Sequence, residues 1–216
     1  MRIVISTLVH GRHETAIKAN LQNVLAGVND FTCCYTDSKD QELSMIISSE
    51  HLVIAPNTIS GKAQASLELC KQVDHDAVML MGCDDYIDKK ALLLVKELLK
   101  DHDYIGFLDI YFRDGGEYLY WPGYTSGNRI GEPAGAGKTV RKDLLERMNY
   151  KVFKDTGNGN TDLDSHKALI EYAKTPIMIS CRAEGVMLVD IKDGESTTPL
   201  ERFSNLVKVT PPMNEM

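Results

Sequence analysis

The sequence predicts an α/β domain with a mostly parallel sheet covered by helices. Three observations carry this. Over the first 100 residues, short apolar or β-branched runs alternate with helical periodicities in the order β-α-β-(α)-β-α-β-α. Parallel neighbours need crossover connections, and the intervening helices supply them. Residues 77–81 are apolar throughout, as a strand covered on both faces must be. The 216 residues are 43% hydrophobic and 25% charged, enough apolar surface for one packed domain and too much for a disordered chain.

Residues 2–8 are rich in β-branched side chains and lead into a polar turn, Val9-His10-Gly11-Arg12-His13. Residues 14–25 place Ala16, Ile17, Ala19, Leu21, Val24 and Leu25 at helical spacing, and Gly27 stops the helix. Residues 31–35 are a second strand ending at Thr36-Asp37-Ser38. A short helix or turn over 42–48 precedes a third strand over 52–55, stopped by Pro56. Residues 61–73 spread Ala63, Ala65, Leu67, Leu69 and Cys70 over an apolar helical face. Strand 77–81 then runs into Gly82-Cys83-Asp84-Asp85-Tyr86, and Asp88 caps a helix over 89–100.

The second half differs and predicts a smaller, mixed region. Residues 103–111 are strand-like, and 115–125 concentrate Tyr118, Tyr120, Trp121 and Tyr124 around Pro122-Gly123. A glycine-rich ordered loop spans 126–138, a short helix 139–148, a Gly/Asn loop 154–161 and a helix 162–173. Residues 177–180 and 186–190 are strand-like. The tail from Asp193 is polar, contains Pro199, Pro211 and Pro212, and either wraps or frays. This divides the chain into one domain over 1–192, with halves 1–100 and 101–192, and a tail over 193–216.

Composition excludes several functions. The formal net charge of -7 argues against binding duplex DNA through a general basic surface, leaving only a local patch of Lys138, Arg141, Lys142 and Arg147. No apolar stretch approaches the ~20 residues of a membrane span. The N-terminus enters a strand without the features of a signal peptide, so the expected location is the cytoplasm. The cysteines, Cys33, Cys34, Cys70, Cys83 and Cys181, are odd in number and lack CxxC spacing. They read as reduced thiols filling the core.

Chemistry concentrates at three acidic places. Asp84 and Asp85 follow the buried strand, and ligands of open α/β sheets bind beyond the carboxyl ends of strands. Adjacent carboxylates there repel unless a cation or a donor sits between them. They read either as a helix cap with solvated charge or as an oxygen site for Mg²⁺ or Mn²⁺. Asp37 ends another strand on the same edge, as a turn former or as an acceptor for a base or ribose. Asp162, Asp164 and His166 open a helix behind a glycine-rich loop. The two aspartates do not share a helix face, so at most one points into a given site. His166 is either a metal or phosphate ligand or a structural histidine. Gly135-Ala136-Gly137-Lys138-Thr139 imitates the end of a P-loop, but Glu132 stands where that motif needs its first glycine.

The order of these pieces resembles a nucleotide-sugar-dependent glycosyltransferase of GT-A fold, similar to family 2. They are a strand with Thr7-x-x-His10-x-Arg12 opening a helix, a strand ending Asp37-Ser38, Asn57 with Gly61-Lys62, and Gly82-Cys83-Asp84-Asp85. The likeness runs from about residue 2 to 173 and resembles the small, virus-encoded members. It implies that Thr7, His10, Arg12 and Glu14 line the nucleotide pocket and that Asp37 holds the base, with a UDP-sugar as donor. Asn57 and Lys62 would lie near the base or pyrophosphate, and Asp84 would bind ribose. Asp84 and Asp85, with His166, would hold Mn²⁺ or Mg²⁺. Ala134, Gly135, Ala136, Gly137 and Trp121 would face the acceptor, and Asp162 or Asp164 would be the catalytic base of an inverting transfer. Two departures stand out. Gly82 replaces the first aspartate of the metal motif, leaving Asp84 and Asp85 to act alone, and Thr161 replaces the glutamate before Asp162. The implied acceptor is a hydroxymethylated base in viral DNA or a cell-surface glycan. A non-catalytic nucleotide-sugar binder and a sugar nucleotidyltransferase are the competing functions.

Overall fold

The computed structural model describes residues 1–48, 51–154, 161–193 and 198–210. The chain runs β1 (Ile3–Leu8), α1 (His13–Ala26), β2 (Asp30–Tyr35), α2 (Gln41–Ile47), β3 (Leu52–Ile54), α3 (Ile59–Leu69) and β4 (Ala77–Leu80). It continues through β5 (Asp85–Ile87), α4 (Lys89–Leu98), β6 (Tyr104–Phe107), β7 (Ile110–Asp114), β8 (Glu117–Trp121), β9 (Lys138–Arg141) and α5 (Lys142–Arg147). Then follow α6 (Thr161–Tyr172), β10 (Pro176–Ile179), α7 (Cys181–Glu184), β11 (Leu188–Ile191) and β12 (Val207–Val209).

Two sheets result. The larger has the order β10-β6-β9-β4-β1-β2-β3, parallel except for β9, which runs antiparallel to both β4 and β6. The smaller has the order β12-β8-β7-β11-β5. Successive side chains of a strand face opposite ways, so β1 sends Ile3 and Ile5 into one core and Val4 into the other. β4 does the same with Ala77 and Met79 against Val78 and Leu80. The first core lies between the sheets and beneath α1 and α4, and the second lies on the side of α3, α5 and α6. Gly27 ends α1 in the left-handed conformation, and the Asp88 carboxylate accepts from the Ala91 N–H at 2.6 Å to cap α4.

The predicted fold class holds, with two local corrections. Residues 103–111 are not one strand: β6 belongs to the large sheet and β7 to the small one, with the change at Leu108 and Asp109. Gly123 permits the close approach there, because a Cβ on it would lie 1.9 Å from the Leu108 carbonyl oxygen at φ +79°. Residues 139–148 are not all helix, since β9 comes first and lies inside the large sheet between β6 and β4. The described part of the tail wraps: β12 pairs with β8, and Phe203 packs on Phe112 and Trp121 at centroid distances of 4.4 and 5.1 Å. Most of the Gly/Asn loop over 154–161 lies outside the described residues.

Candidate active site

A cleft of about 470 Å³ opens at the carboxyl ends of β1 and β4. Its acidic corner is Asp84, Asp85 and Asp190, whose carboxylate oxygens lie within 4.8 Å of one another. Asp190 arrives through pairing, as antiparallel register sets it directly across from Asp85. Gly82 has no space for a side chain: its Cβ would sit 2.7 Å from an Asp84 oxygen and 2.8 Å from an Asp85 oxygen. Asp84 and Asp85 therefore do not stand alone. The third carboxylate comes from β11, not from position 82.

The corner is electrostatically strained. Burial, then Asp190 and Asp84, push the Asp85 carboxyl well above its ordinary value. Burial, then Asp84, push Asp190 up to about 7, against Lys192 and Arg12. Lys192 pairs with Asp190 at 2.6 Å, and Arg12 pairs with Asp84. Arg12 also donates to the carbonyls of Ile191 at 2.6 Å and Asp193 at 3.1 Å. One Asp85 oxygen accepts from the Gly82 N–H at 2.6 Å, while the buried Asp190 Oδ1 has no hydrogen-bond partner. Three hard oxygen donors with a buried orphan among them fit Mg²⁺ or Mn²⁺.

The residues expected to bind a nucleotide divide. Thr7, His10 and Arg12 line the cleft, and Thr7 Oγ1 is buried without a partner. Lys62 is buried behind His10 and donates to its Nδ1 at 3.1 Å. Glu14, Asp37 and Asn57 are exposed and outside the cleft lining. Asp37 caps a turn by accepting from the Lys39 N–H at 3.0 Å. The buried acid of that segment is Asp40, which accepts from the Gly11 N–H at 3.0 Å and meets His13 Nε2 at 2.9 Å, holding the loop after β1.

Of the residues expected to face an acceptor, Ala134, Gly135, Ala136 and Trp121 line the cleft. Gly137 sits behind, in the left-handed region at φ +76°, and donates to the Leu80 carbonyl at 2.9 Å. A Cβ on Gly135 would fall 2.6 Å from the Asp162 carboxyl. Asp162 lines the cleft and Asp164 does not, as their spacing on a helix requires. His166 does not join the acidic corner. Its Nδ1 meets the Tyr104 hydroxyl at 2.9 Å, and burial, then Lys138, lower its pKa.

Of the expected basic patch of Lys138, Arg141, Lys142 and Arg147, Lys142 is half-buried and the other three are buried or paired. Lys138 is 1% exposed, Arg141 pairs with Asp143 at 2.6 Å, and Arg147 pairs with Asp103 at 2.8 Å. The sequence reading missed Asp190, Arg129 and Phe203 and placed Lys138 only in a basic patch, whereas all four are in the cleft lining. The available signal for Asp190 was an acid inside the apolar run Leu188-Val189-Asp190-Ile191. Arg129 lies 3.8 Å over the Tyr124 ring and pairs with Glu132 at 2.6 Å.

No family model and no curated protein sequence matches this chain. Solved structures do. S. aureus TarS 1–349 in complex with UDP-GlcNAc superposes with a TM-score of 0.57 at 15% identity, covering 91% of this chain and 60% of that one. TarS 1–349 with UDP gives 0.58 at 14%, covering 88% and 60%. The bifunctional IspDF from Campylobacter jejuni gives 0.52 at 12%, covering 83% and 50%. This chain thus spans about 60% of the length of the TarS chains it matches. At these identities the likeness is one of fold, and the fold is the GT-A type of α/β architecture. Among the described residues, no helix is long and apolar enough to cross a membrane.

Proposed function

We propose that this chain is a glycosyltransferase that moves a sugar from a nucleoside diphosphate to an acceptor hydroxyl. One observation carries the reading: a single cleft holds an acidic corner of three carboxylates and, on its acceptor side, the separate carboxylate of Asp162. The donor we favour is a UDP-sugar, because the fold is shared with structures solved with UDP-GlcNAc and UDP. Asp84, Asp85 and Asp190 would hold Mn²⁺ or Mg²⁺. When bound, such an ion offsets the charge on the departing diphosphate. His10 and Arg12 line the same end and would bind the diphosphate oxygens, with Lys62 supporting His10.

Asp162 would take the proton of the acceptor hydroxyl as its oxygen attacks the anomeric carbon in line, inverting it. Trp121, Tyr124 and Phe203 form an aromatic wall suited to the face of a sugar, so we favour a glycan acceptor. A hydroxymethylated base in DNA has weaker electrostatic support, since Lys138 is buried and Arg141 and Arg147 are paired, leaving Lys142 of the patch.

The test is turnover of UDP-sugars in a Mn²⁺ titration. Asp162→Asn is expected to lower kcat about 10²–10⁴-fold with donor binding kept. Asp85→Asn is expected to abolish metal-dependent donor binding. Unchanged turnover in both variants would remove the proposal.

A further inference from the structure

The large sheet places a lysine where its packing pattern calls for an apolar side chain. Lys138 opens β9 opposite Leu80 and shares its strand face with Val140, which lies in the apolar core containing Leu169 of α6. Lys138 is 1% exposed, yet it carries an ammonium. Burying a charge costs free energy that a methionine of similar length would not incur. The ammonium also meets the N-terminal turn of α6, where the helix dipole disfavours a cation. Neither packing nor helix stability accounts for this lysine.

Its contacts point elsewhere. Lys138 Nζ donates to the Asp162 carbonyl at 2.7 Å and to Ser165 Oγ at 3.0 Å, and Ser165 Oγ donates to the same carbonyl at 3.0 Å. Three residues earlier on the same strand lead, Gly135 lies against the Asp162 carboxyl. The segment 135–138 therefore grips the first turn of α6 on both sides, by shape at Gly135 and by charge at Lys138.

We infer that Lys138 is a positioning residue: with Ser165 it locks the first turn of α6 so that the Asp162 carboxylate faces the cleft. This rests on the transferase reading above and adds a residue to it. The charged groups facing the pair are Arg129 and Glu132 from the glycine-rich segment and His166 from α6, with the Tyr124 hydroxyl beside them. Burial pulls the Lys138 ammonium down to about 8, while Asp162 and Glu132 hold it up and Arg129 lowers it. The lock thus weakens as pH rises through about 8.

Lys138→Met keeps the volume and removes the charge. It is expected to lower kcat about 10–100-fold, as loss of an outer-shell partner does, with the donor KM held within about twofold. The wild-type kcat should decline above pH 8, and that limb should be absent in the variant. Ser165→Ala, which keeps the lysine, should also lower kcat. NMR titration of the Lys138 side chain gives a readout without activity: its midpoint should fall in Asp162→Asn. An unmoved Lys138 midpoint in Asp162→Asn, or an unchanged kcat in Ser165→Ala, overturns the inference even if Lys138→Met does not fold. Absence of UDP-sugar turnover by the wild-type chain would count against the transferase reading alone, because the titration reads the Lys138–Asp162 pair directly.

Discussion

Two glycines in the cleft are fixed by carboxylates. At Gly82 and at Gly135, the space a Cβ would take is filled by oxygens of Asp84 and Asp85 and by the Asp162 carboxyl. These obstacles are side-chain ends rather than backbone, and neither glycine is among those in the left-handed region. A methyl group at position 135 should therefore displace Asp162 and spare the fold. Gly135→Ala is expected to lower kcat about 10²-fold, the usual effect of a small misplacement of a reacting group, with thermal stability nearly unchanged. A stable Gly135→Ala variant with full turnover would count against the base role proposed for Asp162. At this scale, Asp84 and Asp85 were legible because they end an apolar strand. Asp190 was not, because strand pairing brings it across more than 100 residues of chain, and no local pattern encodes that register.

Elements were legible where periodicity was strong. β1, α1, β4 and α4 follow the sequence reading closely, each with its stop or cap written in the residues. β9 was not, because Lys138-Thr139-Val140-Arg141 alternates too briefly and starts with a charge that only tertiary contacts satisfy. β5 and α7, three and four residues long, are below what periodicity resolves. One buried acid ties several of these pieces. Asp103, just before β6, accepts from the N–H groups of Lys174 and Thr175 at 3.0 Å and from Arg147 of α5 at 2.8 Å. Burial raises its pKa, but these donors outweigh it and the net shift is downward. Asp103→Ala strands two N–H groups and leaves Arg147 only its pair with Asp143 at 3.0 Å, and should cost about 2–4 kcal/mol in denaturant unfolding. The sign for pH follows. A depressed native pKa gives stability that is present above the unfolded value and lost as pH falls through the native one. The gap between wild type and Asp103→Ala should therefore shrink below about pH 4 and stay constant above it. A gap independent of pH would mean that the bonds contribute without the charge.

At the scale of the whole molecule, the cleft is a seam. Thr7 and Lys138 come from the large sheet, Asp85, Asp190 and Trp121 from the small one, and Phe203 from the segment leading to β12. A ligand held by both sheets binds only when the two are assembled, so it stabilises the folded state by mass action. At a concentration 100 times its Kd, that amounts to about 2.7 kcal/mol. For a chain of this length it corresponds to a rise in Tm of roughly 5–10 °C. Mn²⁺ with a UDP-sugar is expected to produce this rise, and each alone a smaller one, because the acidic corner and the diphosphate each leave the other's charge unmatched. Asp190→Asn should abolish the Mn²⁺-dependent part while leaving the protein folded, since it removes a carboxylate whose burial the fold opposes. Asp37→Asn, at an exposed turn outside the cleft lining, should leave the rise intact, and a reduced rise would place Asp37 at the ligand. A UDP-sugar that raises Tm equally with and without Mn²⁺, in wild type and in Asp190→Asn, would place the diphosphate away from the three carboxylates and end the case for a metal there.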